Sequence, residues 1–161
     1  MSLEIRKATD EDFDSIWEIF HHIAQIGESY IYPADTTYKE AYKIWMVDTT
    51  PYVAVLDGEI VGTYLIRQNK VGRGSHVCNA AYMVHHDYRK QKIGQAMCED
   101  SLVEAKKQGY QAMQFNIVVS TNHKAVALWM KMGFEVVGTI PKAFDHEKLG
   151  LVDAYIMHRF L

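Results

Sequence analysis

Two sets of residues in this 161-residue chain have types and spacing suited to chemistry. The first is the stretch Met83-Val84-His85-His86-Asp87-Tyr88-Arg89-Lys90-Gln91-Lys92-Ile93-Gly94-Gln95-Ala96-Met97, in which an apolar strand end enters a donor-rich loop and a helical pattern opens at Gly94. First-turn amides have no partner within their helix and carry the positive end of its dipole, so such a junction can hold a phosphate or pyrophosphate. Arg89, Lys90 and Lys92 add charge there, and Gln91, Ile93, Gly94 and Gln95 supply the backbone of the cradle. The second set is Asn79, Asn116 and Asn122. A side-chain amide donates and accepts without charge, which suits the carboxylate or amine of a small zwitterion and also a thiolate. Asn79 and Asn116 lie in otherwise apolar strand patterns and need partners; Asn122 serves equally well as a helix cap or in catalysis.

Other candidates carry weaker chemistry. Glu28 and Tyr30 lie in an aromatic loop, Gly27-Glu28-Ser29-Tyr30-Ile31-Tyr32-Pro33, which can form a binding wall or simply pack. Glu28 and His76 are the candidates for a general base, although each also reads as structural or solvated. The pairs His21-His22 and His85-His86 lack the same-face spacing of a helical metal site, so no metal is expected. Cys78 and Cys98 have no CxxC spacing and read as buried free thiols.

Bulk properties narrow the partners. A net charge of -3 with mixed signs gives no basic face for nucleic acid, and a small anionic ligand fits the local cluster at residues 89–92 better. The opening residues lack the apolar core of a signal peptide, and no apolar run approaches membrane-spanning length. A soluble, cytoplasmic protein with one domain over residues 1–161 is the expectation.

The elements that must position these groups follow from periodicity. A strand from Leu3 to Ala8 precedes a helix with Phe13, Ile16, Trp17, Ile19, Phe20 and Ile23 at helical spacing, ending near Gly27. A second helix is placed from about Thr37 to Val47. Asp57-Gly58 marks a hairpin between strands Tyr52–Leu56 and Glu59–Ile66, and a further strand runs from about His76 to Val84. The helix after the cradle ends near Gln108-Gly109. Then come a strand from Met113 to Val119, a helix capped by Thr121-Asn122 and ending at Met132-Gly133, and strands at Phe134–Thr139 and Val152–Arg159 joined by a loop around Pro141 to Gly150. The order β-α-α-β-β-β-α-β-α-β-β predicts an α/β (mixed α+β) fold, a central twisted mixed sheet with helices on both faces.

This order and two motifs resemble the GCN5-related N-acetyltransferase (GNAT) family over essentially the whole chain. The first motif is Val84, His86, Tyr88, Arg89, Ile93 and Gly94, matching the family's strand, Val-x-Pro-x-Tyr-Arg, basic turn and Ile-Gly. The second is Asn122-His123-Lys124-Ala125-Val126-Ala127-Leu128-Trp129-Met130-Lys131-Met132-Gly133-Phe134, similar to Asn-x-x-Ala-x-x-Leu-Tyr-x-x-x-Gly-Phe. The resemblance implies acetyl-CoA as cosubstrate, bound by Met83, Val84, the 89–95 loop, Asn122, Ala125 and Trp129. It implies a main-chain N–H of Tyr82 or Met83 as oxyanion donor, Asn122 near the sulfur, and Asn79, Asn116, Tyr30 and Glu28 toward the acceptor.

Departures from the motif sharpen the expectations. With the loop read from Arg89, Lys92 stands where the family places its first glycine, so the lysine must accept glycine-like backbone angles or shift the loop. Reading from Gln91 gives a literal Gln-x-x-Gly-x-Ala but slips the loop relative to its strand; the Arg89 frame is preferred. His86 replaces a proline. Trp129 replaces a tyrosine thought to protonate the leaving thiolate, and an indole N–H is far too weak an acid for that.

The runs Ser75-His76-Val77-Cys78-Asn79-Ala80, Phe115-Asn116, Thr121-Asn122, Gly138-Thr139-Ile140-Pro141 and Val152-Asp153-Ala154 are similar to fungal acetyltransferases of proline analogues such as azetidine-2-carboxylate, and more distantly to phosphinothricin-type enzymes. The resemblance thus implies transfer to the amine of a small amino or imino acid by direct attack in a ternary complex. The alternatives are a protein N-terminus, lysine or polyamine as acceptor, or a catalytically silent CoA-binding sensor. Family members often form homodimers, and the pattern leaves oligomeric state open.

Overall fold

The computed structural model describes residues 2–161. Its elements are β1 (Leu3–Lys7), α1 (Phe13–Ile26), α2 (Tyr38–Met46), β2 (Thr50–Leu56), β3 (Glu59–Gln68), β4 (Val77–Val84), α3 (Ile93–Lys107), β5 (Ala112–Val119), α4 (His123–Lys131), β6 (Glu135–His146) and β7 (Gly150–Phe160). The order is the one periodicity predicts, and the strands form one seven-stranded sheet in the order β1-β2-β3-β4-β5-β7-β6. No helix among the described residues is long and apolar enough to cross a membrane.

Strand alternation sorts the core into two layers. Val53, Leu65 and Met83 point to one face and pack beneath Phe13, Ile16, Phe20 and Trp45 of α1 and α2. Tyr52, Tyr64 and Tyr82, aligned across β2, β3 and β4, point to the other and pack with Met97, Cys98 and Trp129 of α3 and α4. Helices therefore cover both faces. α2 is further fixed by a buried relay, in which Trp45 Nε1 donates to Thr63 Oγ1 at 2.9 Å and that hydroxyl donates to the Tyr52 carbonyl at 2.7 Å.

Two glycines carry local geometry that the site depends on. Asp57 and Gly58 take φ of 50° and 83°, the paired left-handed conformation of a tight hairpin whose twist matches its strands. At Gly62 an added Cβ would sit 3.0 Å from the Met97 side chain and 3.2 Å from Ile93, so a side chain here would have to displace the Met97 and Ile93 side chains of α3.

One expected loop is strand instead. β6 runs through Pro141 to His146, and only residues 147–149 form the turn before β7. The register shifts between Ile140 and Phe144, and Lys142, at φ 50°, donates its N–H to Asp153 Oδ1 at 3.0 Å. Pro141 thus occupies an irregularity where no ladder N–H is required, which is how a proline survives inside a strand. The lengthened hairpin brings its tip to the end of α1: Glu147 donates its N–H to the Gly27 carbonyl at 3.1 Å, and Lys148 Nζ lies 3.0 Å from Glu28.

Candidate active site

The parallel pair β4 and β5 is joined only at Val77 and Cys78 against Ala112 and Met113. Beyond these residues the strands separate toward their carboxyl ends, the position where open sheets containing parallel strands hold ligands. Two adjoining spaces result. A cleft of about 710 Å³ lies at the start of α3, and a cavity of about 200 Å³ lies between the strands. Ser29, Asn122 and Ala125 line both and form a doorway between them.

The cleft is walled by Val84, Tyr88, Arg89, Lys90, Lys92, Ile93, Gly94 and Gln95. Lys92 is the residue before α3, with φ 61° and ψ 22°, and no side chain caps the helix. The lysine has therefore adopted the left-handed angles that glycine would supply in the Arg89 frame, and first-turn amides stay available. Lys90 is left-handed too, at φ 65°. An added Cβ at Gly94 would meet Leu128 and Val84 at 3.7 and 3.8 Å, ordinary contact, so protein packing does not demand a glycine there. A bare backbone beside three basic side chains fits an anionic ligand lying close to the loop. Thr121 Oγ1, also at the cleft, is buried without a hydrogen-bond partner among the described residues and is a further group a ligand would satisfy.

Not every residue expected in the cleft is there. Gln91 is exposed and does not line it, and the Met83 side chain is buried under α1. Trp129 lines the cavity instead, packed against Tyr82 and Phe115 with ring centroids 5.0 and 4.9 Å apart. Glu28 shows the reverse displacement: expected toward the acceptor, it lines the cleft and pairs with Lys148. The sequence pattern also missed Thr121, Lys124 and His146 as cleft residues. A lysine two residues past a cap had a readable position, whereas His146 arrives only through the unexpected extension of β6.

The cavity brings together Asn79, Asn116, Tyr30 and Tyr82. Asn79 is buried and donates from Nδ2 to the Gln114 carbonyl at 2.9 Å, which leaves its Oδ1 for another donor. Asn116 is exposed rather than enclosed, donating to Asn69 Oδ1 at 2.7 Å and accepting from Gln114 Nε2 at 3.1 Å. Asn122 accepts from the Ala125 N–H at 3.4 Å as a cap, and its Nδ2 is free at the doorway.

Main-chain N–H groups of β4 have unequal access. At the two ends of β4, His85 donates its N–H to the Val61 carbonyl of β3 at 2.9 Å, and Val77 accepts from the N–H of Asn69, the residue after β3, at 2.8 Å. By alternation Met83 also faces β3, so its N–H belongs to the ladder and not to the gap. Tyr82 faces the gap, where the Tyr30 hydroxyl accepts from its N–H at 2.9 Å and donates to its carbonyl at 2.5 Å. One phenol thus occupies both polar groups of the residue expected to serve as oxyanion donor. Burial pushes the Tyr30 phenol well above its usual range, so it acts here as a neutral hydroxyl.

Covalent and basic alternatives lack residues. Cys78 and Cys98 are buried, and burial pushes both thiols up to about 12, so neither supplies a thiolate. Among the described residues no carboxylate lines the cavity. His76 lies at the far end of the sheet near Lys106 and Tyr110. His85, His86 and Asp87 place ligand atoms within 4.8 Å of one another, but His85 Nδ1 accepts the Asp87 N–H at 3.1 Å, which caps the turn.

A family model described as Acetyltransferase (GNAT) family matches residues 13–134. The chain belongs to this family. A solved GCN5-related N-acetyltransferase from Kribbella flavida is 39% identical, with a TM-score of 0.94 over 99% of this chain and 98% of that one. N-acetyltransferase aca1 of Schizosaccharomyces pombe is 36% identical over 100 residues, 60% of this chain; the match spans only 47% of that relative, about half its length. The phosphinothricin acetyltransferase of Sinorhizobium meliloti, solved with acetyl-CoA, shares the fold at a TM-score of 0.88 and 18% identity, covering 100% of this chain and 89% of that one.

Proposed function

We propose that this GNAT chain transfers an acetyl group from acetyl-CoA to the amine of a small amino or imino acid by direct attack in a ternary complex. The observation that carries the reading is the doorway: a basic, backbone-lined cleft opens through Ser29, Asn122 and Ala125 into a small cavity with neutral polar groups. The donor acetyl-CoA supplies a thioester when bound. Arg89, Lys90, Lys92 and the first turn of α3 hold the anionic end, and the Asn122 amide, free at Nδ2, offers a donor to the sulfur. The Tyr82 N–H offers a donor to the carbonyl oxygen once Tyr30 yields it, and the Asn79 oxygen faces the acceptor.

Support for a small acceptor comes from cavity size and from the similarity of the Asn79 and Asn122 segments to acetyltransferases of proline analogues. With no carboxylate in the cavity, the acceptor amine loses its proton to water before attack. The rate is therefore expected to climb with pH toward the amine's own pKa rather than level off near neutrality. A plateau near pH 7 would point to a base within the protein.

A thiol-release assay with acetyl-CoA across amino acids, imino acids, polyamines and peptides tests the reading. Turnover confined to small amino or imino acids is the expected result. Turnover on peptides or polyamines alone would replace the acceptor class, and acetyl-CoA binding without turnover on any amine would make the chain a sensor.

A further inference from the structure

Arg67 is a charged residue of the cavity that no motif marks. It is the single charged side chain among the cavity's lining residues, which include no Asp, Glu, Lys or His. Among the described residues its guanidinium has neither an ion pair nor a hydrogen bond, in contrast to Arg6, held by Asp12 at 2.8 Å, and Arg159, which donates to the Met132 carbonyl at 2.7 Å. In register it stands directly opposite Asn79, so both side chains leave the same face of the sheet. Asn79 is anchored to Gln114, and Asn69 and Asn116 are bonded to each other beside them. These amides are anchored, with the Asn79 Oδ1 still open, while the exposed Arg67 guanidinium has no protein partner among the described residues. Its charge reaches the phenol of Tyr32, where it offsets part of the upward push of burial.

We propose that Arg67 anchors the carboxylate of the acceptor and so restricts the site to amino and imino acids over amines that lack an acid group. The proposal rests on the reading above that this cavity receives the acceptor. A guanidinium presents paired donors that match a carboxylate, and such charge-assisted bonds are the strong ones. The same positive charge, with no acid nearby to offset it, opposes a polyamine or a lysine side chain, whose remaining ammonium groups would enter beside it. Asn79, directly across the strand pair, is placed to accept from the amine of the acceptor while Arg67 holds its carboxylate.

The test compares azetidine-2-carboxylate with its carboxamide, and both with spermidine, in the wild type, Arg67→Gln and Arg67→Lys. The wild type is expected to favour the acid, and Arg67→Gln to cut the ratio of kcat/KM for acid over carboxamide by about 10- to 100-fold, the range of a lost charged hydrogen bond. The KM for acetyl-CoA and the melting temperature stay near wild type, and Arg67→Lys recovers part of the ratio. Equal use of acid and carboxamide by the wild type, or an unchanged ratio in Arg67→Gln, overturns the proposal while leaving acetyl transfer to small amines intact. If the wild type acetylates none of the three, transfer to small amines fails instead. Binding of acid and carboxamide to the CoA complex, read from Trp129 fluorescence, then decides: acid-selective binding abolished by Arg67→Gln supports the anchor, and equal or no binding overturns it.

Discussion

The cleft and the cavity meet at Asn122 but are built in opposite ways. Seven of the seventeen residues that line the cleft come from one segment, residues 88–95, and the chemistry of that segment is backbone shape plus charge. The cavity gathers side chains from the α1–α2 loop, β3, β4, β5 and α4. The shape of a local, backbone-made loop depends on its dihedral angles, and Lys92 at φ 61° keeps the left-handed angles that a glycine would supply. A site assembled across strands depends on each side chain. Variants should accordingly separate into those that affect acetyl-CoA and those that affect the acceptor, with Asn122 affecting both.

The largest expected effect is at that shared position. Asn122→Ala should lower kcat about 10- to 100-fold, as expected for loss of a hydrogen bond to a charged group, and cost about 1 kcal/mol of stability through the lost cap. Asn122→Asp separates the two, because a carboxylate caps as well as an amide but has no donor to offer. Recovery of both stability and turnover in Asn122→Asp would reduce Asn122 to a cap.

Next comes the cleft alone. Replacing Arg89 and Lys92 together with alanine should raise the KM for acetyl-CoA about 10-fold or more, with the effect shrinking at high salt and the acceptor KM unmoved. A change confined to the acceptor KM would break the division between the compartments. Lys92→Gly and Lys92→Ala then weigh backbone against charge. Both remove the charge, but glycine relieves left-handed strain of about 1 kcal/mol. The glycine variant should therefore bind acetyl-CoA better than the alanine variant, and equal affinities would mean the charge alone matters.

Tyr30 tests the cavity side of the boundary. Tyr30→Phe leaves the Tyr82 N–H and carbonyl without their protein partner, and the expected loss is about 1 kcal/mol of stability. The same change frees the Tyr82 N–H, so the KM for acetyl-CoA should fall. An unchanged KM would show that the Tyr82 amide plays no part in holding the thioester.

The contrast between compartments also explains what the sequence made legible. Elements fixed by local chemistry were readable: the start of α2 near Thr37, the Asp57-Gly58 hairpin, the Asn122 cap, and the loop from Arg89 to Gln95. Pro141 misled because its place in a strand depends on an irregularity set by the pairing of β6 with β7. Arg67 and the double bond of Tyr30 to Tyr82 were hidden because both depend on contacts between distant segments, and nothing in the spacing of Arg67 and Asn79 marks them as opposite. Glu28 lay in the right loop but on its cleft side, held there by Lys148 from a hairpin tip the pattern did not extend far enough.

The smallest expected effect concerns pH and again falls on the cleft side. His22 of α1 stacks on His86 at 3.9 Å, and His86 stacks on His85 at 4.4 Å, beside the loop that carries Arg89. Partial burial first, then the neighbouring His86, Arg89 and His85 charges, hold His22 below its ordinary value of 6.5, with Asp87 pulling the other way. Glu18, 3.3 Å from His85, faces the stack from α1 as well. The unfolded chain therefore takes up a proton near pH 6.5 that the folded chain refuses, so this site contributes no penalty above that pH. As pH falls below 6.5 the folded state is increasingly disfavoured, and the loss is complete only below the lowered native value. A melting-temperature series from about pH 7.5 to about pH 5 should be flatter in His22→Gln than in the wild type. Because the stack borders the 89–95 loop and not the cavity, the acid change should also raise the KM for acetyl-CoA before that for the acceptor. Parallel pH curves in the two proteins would remove His22 from the account, and an effect on the acceptor alone would mean that the histidine stack acts across the doorway.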